Sequence, residues 1–264
     1  MKAIILAAGM GTRLGKYTEN LPKGMLGFNG KPLILWQVET LRKAGINDIV
    51  VVGGYNHEKI NIPGVKKYIN KDYANTNMVE SLMTAEPEMT SSILVCYSDI
   101  LYEPGVIKKV FASKADIGVT ADEDYWDYWQ ARLENPMDDT ESLVIDKRGK
   151  IDELGTPKCS LDRAKVRYVG LIKFSPNGVN WLKKVYHINK EKYFDKNEPW
   201  LHSKSFKKAY MTDMLQSLIN SGHRVEPILI KRGWLEFDTV EDYENYSKWL
   251  KDSSLDRFFS FEAK

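Results

Sequence analysis

The opening stretch "MKAIILAAGMGTRL" sets an apolar run directly against a turn containing Gly9 and Gly11, followed at once by a cation, Arg13. An apolar run this short, cut off by glycine, reads as a buried strand rather than a helix. In open α/β sheets, ligands sit beyond the carboxyl ends of the strands, and a glycine turn there lets backbone N–H groups approach phosphate oxygens with no side chain between them. Arg13, and Lys23 behind the turn-forming Pro22, add the fixed positive charge that a triphosphate requires. A dinucleotide-binding turn would carry a third glycine where Leu14 stands, which disfavours a redox cofactor.

Up to about residue 121, short β-branched runs alternate with helical patterns. "AIIL" is followed by a helix expected from Pro32 to Ala44, with Ile34, Val38 and Leu41 on one face, and then by the strand "DIVVVG". The strands "VKKYI", "SILVCYSD" and "DIGVTA" continue the series, separated by helices expected over residues 78–85 and 105–111. This alternation predicts an α/β chain, doubly wound around a mostly parallel sheet. Residues 122–167 change texture to aromatics, acidic side chains and turn signals such as "NPMDD" and "KRGK", which reads as a small inserted lobe of short strands. The α/β pattern resumes with "RYVGLIKF", a helix expected from Ser205 to Ser221, the strand "RVEPILI" and a last helix in "TVEDYENYSKWL". One domain over residues 1–250 is expected, followed by a tail over 251–264.

Charge and composition exclude several classes. The 38 basic and 36 acidic residues are evenly mixed and leave a net charge of only +2, which is not the footprint of a nucleic-acid binder. No segment approaches the roughly 20 apolar residues of a membrane helix, and "AIILAA" is shorter than the apolar core of a secretion signal. Cys96 lies in the apolar run "SILVCY" and Cys159 in a polar stretch, with no disulfide framework between them. A soluble protein of a reducing, cytoplasmic compartment is expected. His57, His187, His202 and His223 are scattered without ligand spacing, and solvated or packing roles are expected for all four.

Two carboxylates stand where a divalent cation would be needed to bring phosphates together. Asp99 follows the buried strand "SILVCY", and Asp238 follows "WLEF" next to Thr239. The plainer readings are a turn residue for Asp99 and a helix cap for Asp238.

The string "LAAGMGTRLGKYTENLPKGM" resembles, over its whole length, the signature of the nucleotidyltransferase superfamily, which joins a nucleoside monophosphate to a sugar phosphate or another small phosphate. The resemblance implies that Leu6, Ala7, Ala8 and Gly9 lie against base and ribose, that Gly11, Thr12 and Arg13 lie against the triphosphate, and that Lys23 stands at the phosphorus under attack. It makes Lys23 and Arg13 the catalytic cations and Asp99 and Asp238 the ligands of Mg2+. A surface charge is the other reading of Arg13. In the branch acting on small phosphates, a string similar to "TNMVESL" faces the base, so Asn75, Thr76, Asn77 and Ser81 are candidates for the pyrimidine edge, with a helix N-cap as the alternative for Thr76 or Asn77.

The insert opens with "ADEDYWDYWQARLENP", which sets Tyr125, Trp126, Tyr128 and Trp129 among four carboxylates. Ammonium groups are attracted both to aromatic faces and to carboxylates. Tyr125, Trp126 and Trp129 are therefore candidates for an amine-bearing acceptor, with Arg132 as a clamp on its phosphate; the buried face of a short helix or strand pair is the alternative for the tryptophans. This segment, "YVGLIKF" and "WLEFDT" are similar to cytidylyltransferases acting on phosphocholine, 2-aminoethylphosphonate or phosphorylated glutamine, and by that analogy Lys173 is a further acceptor candidate. The expected partners are CTP and a small phosphorylated or phosphonate acceptor, with neither nucleic acid nor membrane. A hexose-1-phosphate nucleotidyltransferase using UTP or dTTP and a non-catalytic nucleotide sensor are the alternatives.

Overall fold

The computed structural model describes residues 1–263. β1 (Lys2–Ala7) is apolar at successive positions because both of its faces are covered. Ala3, Ile5 and Ala7 enter the core on one side, Ile4 and Leu6 on the other, as in a parallel strand between two helical layers. The glycine turn follows, then a short hairpin of β2 (Gly27–Phe28) and β3 (Lys31–Pro32), α1 (Leu33–Lys43), β4 (Ile49–Gly53), β5 (Lys66–Ile69) and α2 (Met78–Thr84). Next come β6 (Ile93–Tyr97), β7 (Ile100–Tyr102), α3 (Pro104–Ala112) and β8 (Ile117–Asp122). Apart from β2, β3 and β7, which the sequence reading did not foresee, these elements fall close to where the hydrophobic periodicity puts them.

The insert departs from expectation. It begins with a helix, α4 (Trp126–Arg132), whose Tyr128 and Trp129 are fully buried, and only then forms the antiparallel hairpin of β9 (Glu141–Ile145) and β10 (Ile151–Pro157). β11 (Arg167–Phe174) leads into α5 (Pro176–Tyr193), absent from the sequence reading although Ser175 caps it and Pro176 opens it. α6 (Met211–Asn220) starts later than expected, because residues 205–210 form a tighter turn. β12 (Glu226–Ile230), β13 (Trp234–Glu236) and α7 (Val240–Lys251) complete the regular elements.

The main sheet has seven strands in the order β12-β8-β11-β6-β1-β4-β5. β1 runs parallel between β4 and β6, while β11 is antiparallel to both of its neighbours. Residues after Lys251 are part of the core: Leu255, Phe258 and Phe259 are buried, and Phe261 packs on Trp36 with ring centroids 4.6 Å apart. Cys159 is buried despite its polar sequence context, and both cysteines are free. His223 stacks on Trp181, and His187 lies 3.0 Å from Glu86. Among the described residues no helix is long and apolar enough to cross a membrane.

At the end of the sheet opposite the glycine turn, the Glu88 carboxylate accepts hydrogen bonds from Lys2, Lys66 and Tyr68, joining β1 to β5. Those donors, Lys2 foremost, hold its carboxyl down at about 2. A depressed carboxyl stabilises the fold above its unfolded pKa, and the contribution is lost as pH falls from about 4.5 towards 2. Urea midpoints measured between pH 6 and pH 3 should therefore fall less steeply in Glu88→Gln than in the parent.

Candidate active site

The two carboxylates predicted to hold a metal are far apart in sequence and adjacent in space because of a small secondary sheet. β7 pairs antiparallel with β13, Leu101 opposite Leu235 and Ile100 opposite Glu236. One residue further on, the Phe237 N–H donates to the Asp99 carbonyl at 2.8 Å. The turn carrying Ser98 and Asp99 is braced from below by Gln37 of α1, whose buried amide donates to the carbonyls of Tyr97 (3.0 Å) and Ile100 (2.7 Å). Sequence reading passed over Gln37, and a lone amide inside the apolar face of "ILWQVETL" was its signal.

Lys23 is brought to the same place from the other side. The next residue, Gly24, packs so closely that a Cβ there would stand 2.5 Å from Ile34 Cδ1 and 2.8 Å from Ser98 Cβ. This close approach brings the turn Lys23–Met25 against the end of β6. Lys23 Nζ lies 2.6 Å from Asp99 Oδ2 and 2.7 Å from Asp238 Oδ1, and Arg13 Nη1 lies 2.6 Å from Asp238 Oδ2. Burial alone would lower the Lys23 ammonium, but Asp99 and Asp238 prevail and raise it, so it stays charged. The loop between is shaped by Gly11 in the left-handed region (φ 65°), whose carbonyl accepts from the Thr18 hydroxyl at 2.7 Å.

The arrangement fits a divalent cation. Asp99 Oδ1 is buried with no hydrogen-bond partner, which leaves one oxygen of the carboxylate open to a ligand. Among the described residues there is no cluster of three or more ligating side chains. A cation here would have Asp99 and Asp238 from the protein and draw its other oxygens from phosphates and water, which suits Mg2+.

Two cavities meet at this cluster, sharing Met78 and Tyr97 on their walls. The smaller, of about 110 Å3, is lined by Leu6, Ala8, Gly9, Thr76, Asn77 and Ser81 together with Lys23 and Asp99. Asn70 holds two of these hydroxyls, its amide donating to Thr76 Oγ1 and Ser81 Oγ at 3.0 Å each. Asn77 occupies the N-cap of α2 without capping it, and its amide donates instead to the Lys208 carbonyl. Ala7 turns into the opposite core, and Thr12 lies on the outer side of the loop. Asn75 is an exception to the expected set: exposed, with its amide on Asp72, it is not on the wall of this cavity.

The larger cavity, of about 460 Å3, lies under the β9–β10 hairpin, and Arg13 and Asp238 stand on its wall. None of the five acceptor candidates reaches it. Trp129 is fully enclosed, Tyr125 is buried with its hydroxyl on the Ala164 carbonyl at 2.6 Å, and Trp126 packs edge-on against Tyr125. Lys173 lies towards the other end of β11, donating to the Ser113 carbonyl. The wall is supplied instead by side chains that sequence reading did not select, Glu141, Arg167, Tyr97, Tyr168 and Tyr210 among them, which come from separate segments and share no local motif.

Arg132, expected to clamp a phosphate, is fully committed inside the protein. Its Nε and Nη2 donate to the Asp242 carboxylate at 2.6 and 2.9 Å, and Nη1 donates to Glu236 at 2.5 Å. Asp242 in turn accepts from the amides of Asp238 (2.8 Å) and Thr239 (2.9 Å). Tyr128 Oη accepts from the Glu236 N–H, and the Tyr246 hydroxyl donates to the Glu236 carbonyl. Burial would raise the Glu236 carboxyl, but Arg132, Arg167 and Lys23 bring it down to about 2. The aromatic helix therefore holds the loop that presents Asp238.

A family model, the MobA-like NTP transferase domain, matches residues 3–236, and the chain belongs to that family of nucleotidyltransferases. Among curated proteins it is similar to the CTP:phosphoglutamine cytidylyltransferase of Campylobacter jejuni, 33% identical over 261 residues, covering 92% of this chain and 98% of the relative. A choline-phosphate cytidylyltransferase of Streptococcus pneumoniae is 42% identical over 107 residues, 39% of this chain and 47% of that one. A solved CTP:phosphocholine cytidylyltransferase from Streptococcus pneumoniae superposes with a TM-score of 0.71 at 25% identity, covering 94% of this chain and 98% of that one.

Arg132→Met should cost about 3–5 kcal/mol, because it strands the buried Asp242 carboxylate. In Arg132→Met/Asp242→Leu, urea unfolding should show part of that loss recovered.

Proposed function

We propose that the protein transfers CMP from CTP to a small amine-bearing phosphate or phosphonate and releases pyrophosphate. The observation that carries this reading is the cluster of Lys23, Arg13, Asp99 and Asp238 at the junction of a small polar cavity and a larger one. The smaller space suits a pyrimidine, with Thr76, Asn77 and Ser81, held in place by their own hydrogen bonds, on its polar wall. The C. jejuni relative, similar over nearly its whole length, is named for CTP and phosphoglutamine, and the pneumococcal relatives for choline phosphate and phosphocholine, which supports the nucleotide and the kind of acceptor.

An acceptor phosphate is already an anion at neutral pH, so no protein nucleophile is required. An acceptor oxygen forms a bond to the α-phosphorus as the bond to the bridging oxygen of pyrophosphate breaks, and the negative charge passes to the leaving group. Lys23 would neutralise charge at the α-phosphate, and Arg13 would steady the phosphates beyond. Mg2+ on Asp99 and Asp238 would supply further neutralisation of the triphosphate. The chain's own work is positioning: the braced turns at Ser98 and Phe237 fix the carboxylates before substrate arrives.

Pyrophosphate release measured with CTP, UTP, dTTP and GTP against amine-bearing phosphates and hexose 1-phosphates tests the reading. CTP with an amine-bearing acceptor should turn over fastest, and a preference for UTP or dTTP with a hexose phosphate would refute it. Lys23→Ala should lower kcat by about two orders of magnitude or more with its circular-dichroism spectrum unchanged.

A further inference from the structure

One carboxylate on the wall of the larger cavity has no partner within the protein. Glu141, the first residue of β9, stands half-buried on that wall and, among the described residues, makes neither a side-chain hydrogen bond nor an ion pair. Burial pushes its carboxyl up, with Arg167 acting against that. Arg167 is largely engaged elsewhere, however, only its Nε being buried without a partner. Its Nη1 donates to the Asp139 carbonyl at 2.7 Å, its Nη2 lies 3.3 Å from the Asp139 carboxylate, and its guanidinium lies 4.4 Å from the Trp129 ring centroid. Lys158 stands exposed on the same wall and forms no ion pair with Glu141. A carboxylate taken partly out of water with no cation bonded to it favours an incoming one.

The shape of the wall narrows which cation. A quaternary ammonium carries no N–H and is held by several aromatic faces closing around it. The rings that would build such a box, Tyr125 and Trp129, are sealed in the core. The cavity keeps Tyr97 and Tyr168, set edge-to-face at 5.8 Å with the Tyr168 hydroxyl donating to that of Tyr97 at 2.9 Å, and Tyr210, which is half exposed. A primary ammonium, with three N–H donors, takes full advantage of a single carboxylate beside hydroxyl-edged rings.

We infer that Glu141 receives the charged end of the acceptor and that this end is a primary ammonium rather than a quaternary one. The inference rests on the proposed function and names the acceptor class within it. Steady-state kinetics with phosphoethanolamine and phosphocholine, run on the parent, Glu141→Gln and Glu141→Asp, test it. The parent should favour phosphoethanolamine in kcat/KM by about tenfold or more, since a site built to accept N–H bonds rejects an analogue lacking them. Glu141→Gln should bring the two acceptors within about twofold of each other, mainly through a higher KM for phosphoethanolamine, and Glu141→Asp should restore part of the preference. A parent that uses phosphocholine equally well, or a Glu141→Gln variant that keeps the parent's ratio, would overturn the inference and leave the proposed function standing. An enzyme that turns over neither amine but accepts hexose 1-phosphates would overturn both. Should Glu141→Gln fail to fold, the parent's preference together with the Glu141→Asp ratio decides.

Discussion

The site depends on one short ladder. Three residues of β7 pair with three of β13, and the hydrogen bond from the Phe237 amide to the Asp99 carbonyl extends that pairing to the two carboxylates. A backbone bond from the residue before Asp238 to Asp99 fixes the separation of the two side chains more firmly than loop packing would, because neither segment can slide without breaking the register. Gln37 from below and Asp242 from the side then satisfy the backbone groups that this crossing leaves over.

Charge is balanced within the cluster. Lys23 lies between the two acidic groups and Arg13 caps one of them. The buried carboxylates can thus be held close together without the cost of uncompensated like charges. Incoming phosphates would compete with Asp99 and Asp238 for the same cations. Arg13, largely exposed, is the freer of the two to move, whereas Lys23 is confined by the turn at Gly24.

Much of this architecture was legible in the chain itself. The β1 run, the glycine turn and the strands before residue 122 follow hydrophobic period and turn chemistry, which are local properties. Asp99 and Asp238 were visible as candidates because they follow buried strands, and Lys23 as a cation behind the turn-forming Pro22; the structure brings the three together. Arg132 and Trp129 were misread because composition reports which groups are present and not which way they face. An arginine among carboxylates is equally suited to a ligand phosphate and to an internal Asp242. The wall of the larger cavity was illegible for a different reason: Glu141, Arg167 and Tyr210 come together only through the hairpin and β11, and no short window of sequence contains them.

The tie from α4 through Asp242 to the loop of Asp238 bears on how such an enzyme diversifies. A mutation on the aromatic helix would disturb the loop of Asp238 along with the core, which leaves this part of the insert little freedom to change. The β9–β10 hairpin touches the same cavity from the outside without sharing that tie. Selection for a new acceptor can act on the hairpin while the chemistry stays intact, which makes it the natural place for related enzymes to differ.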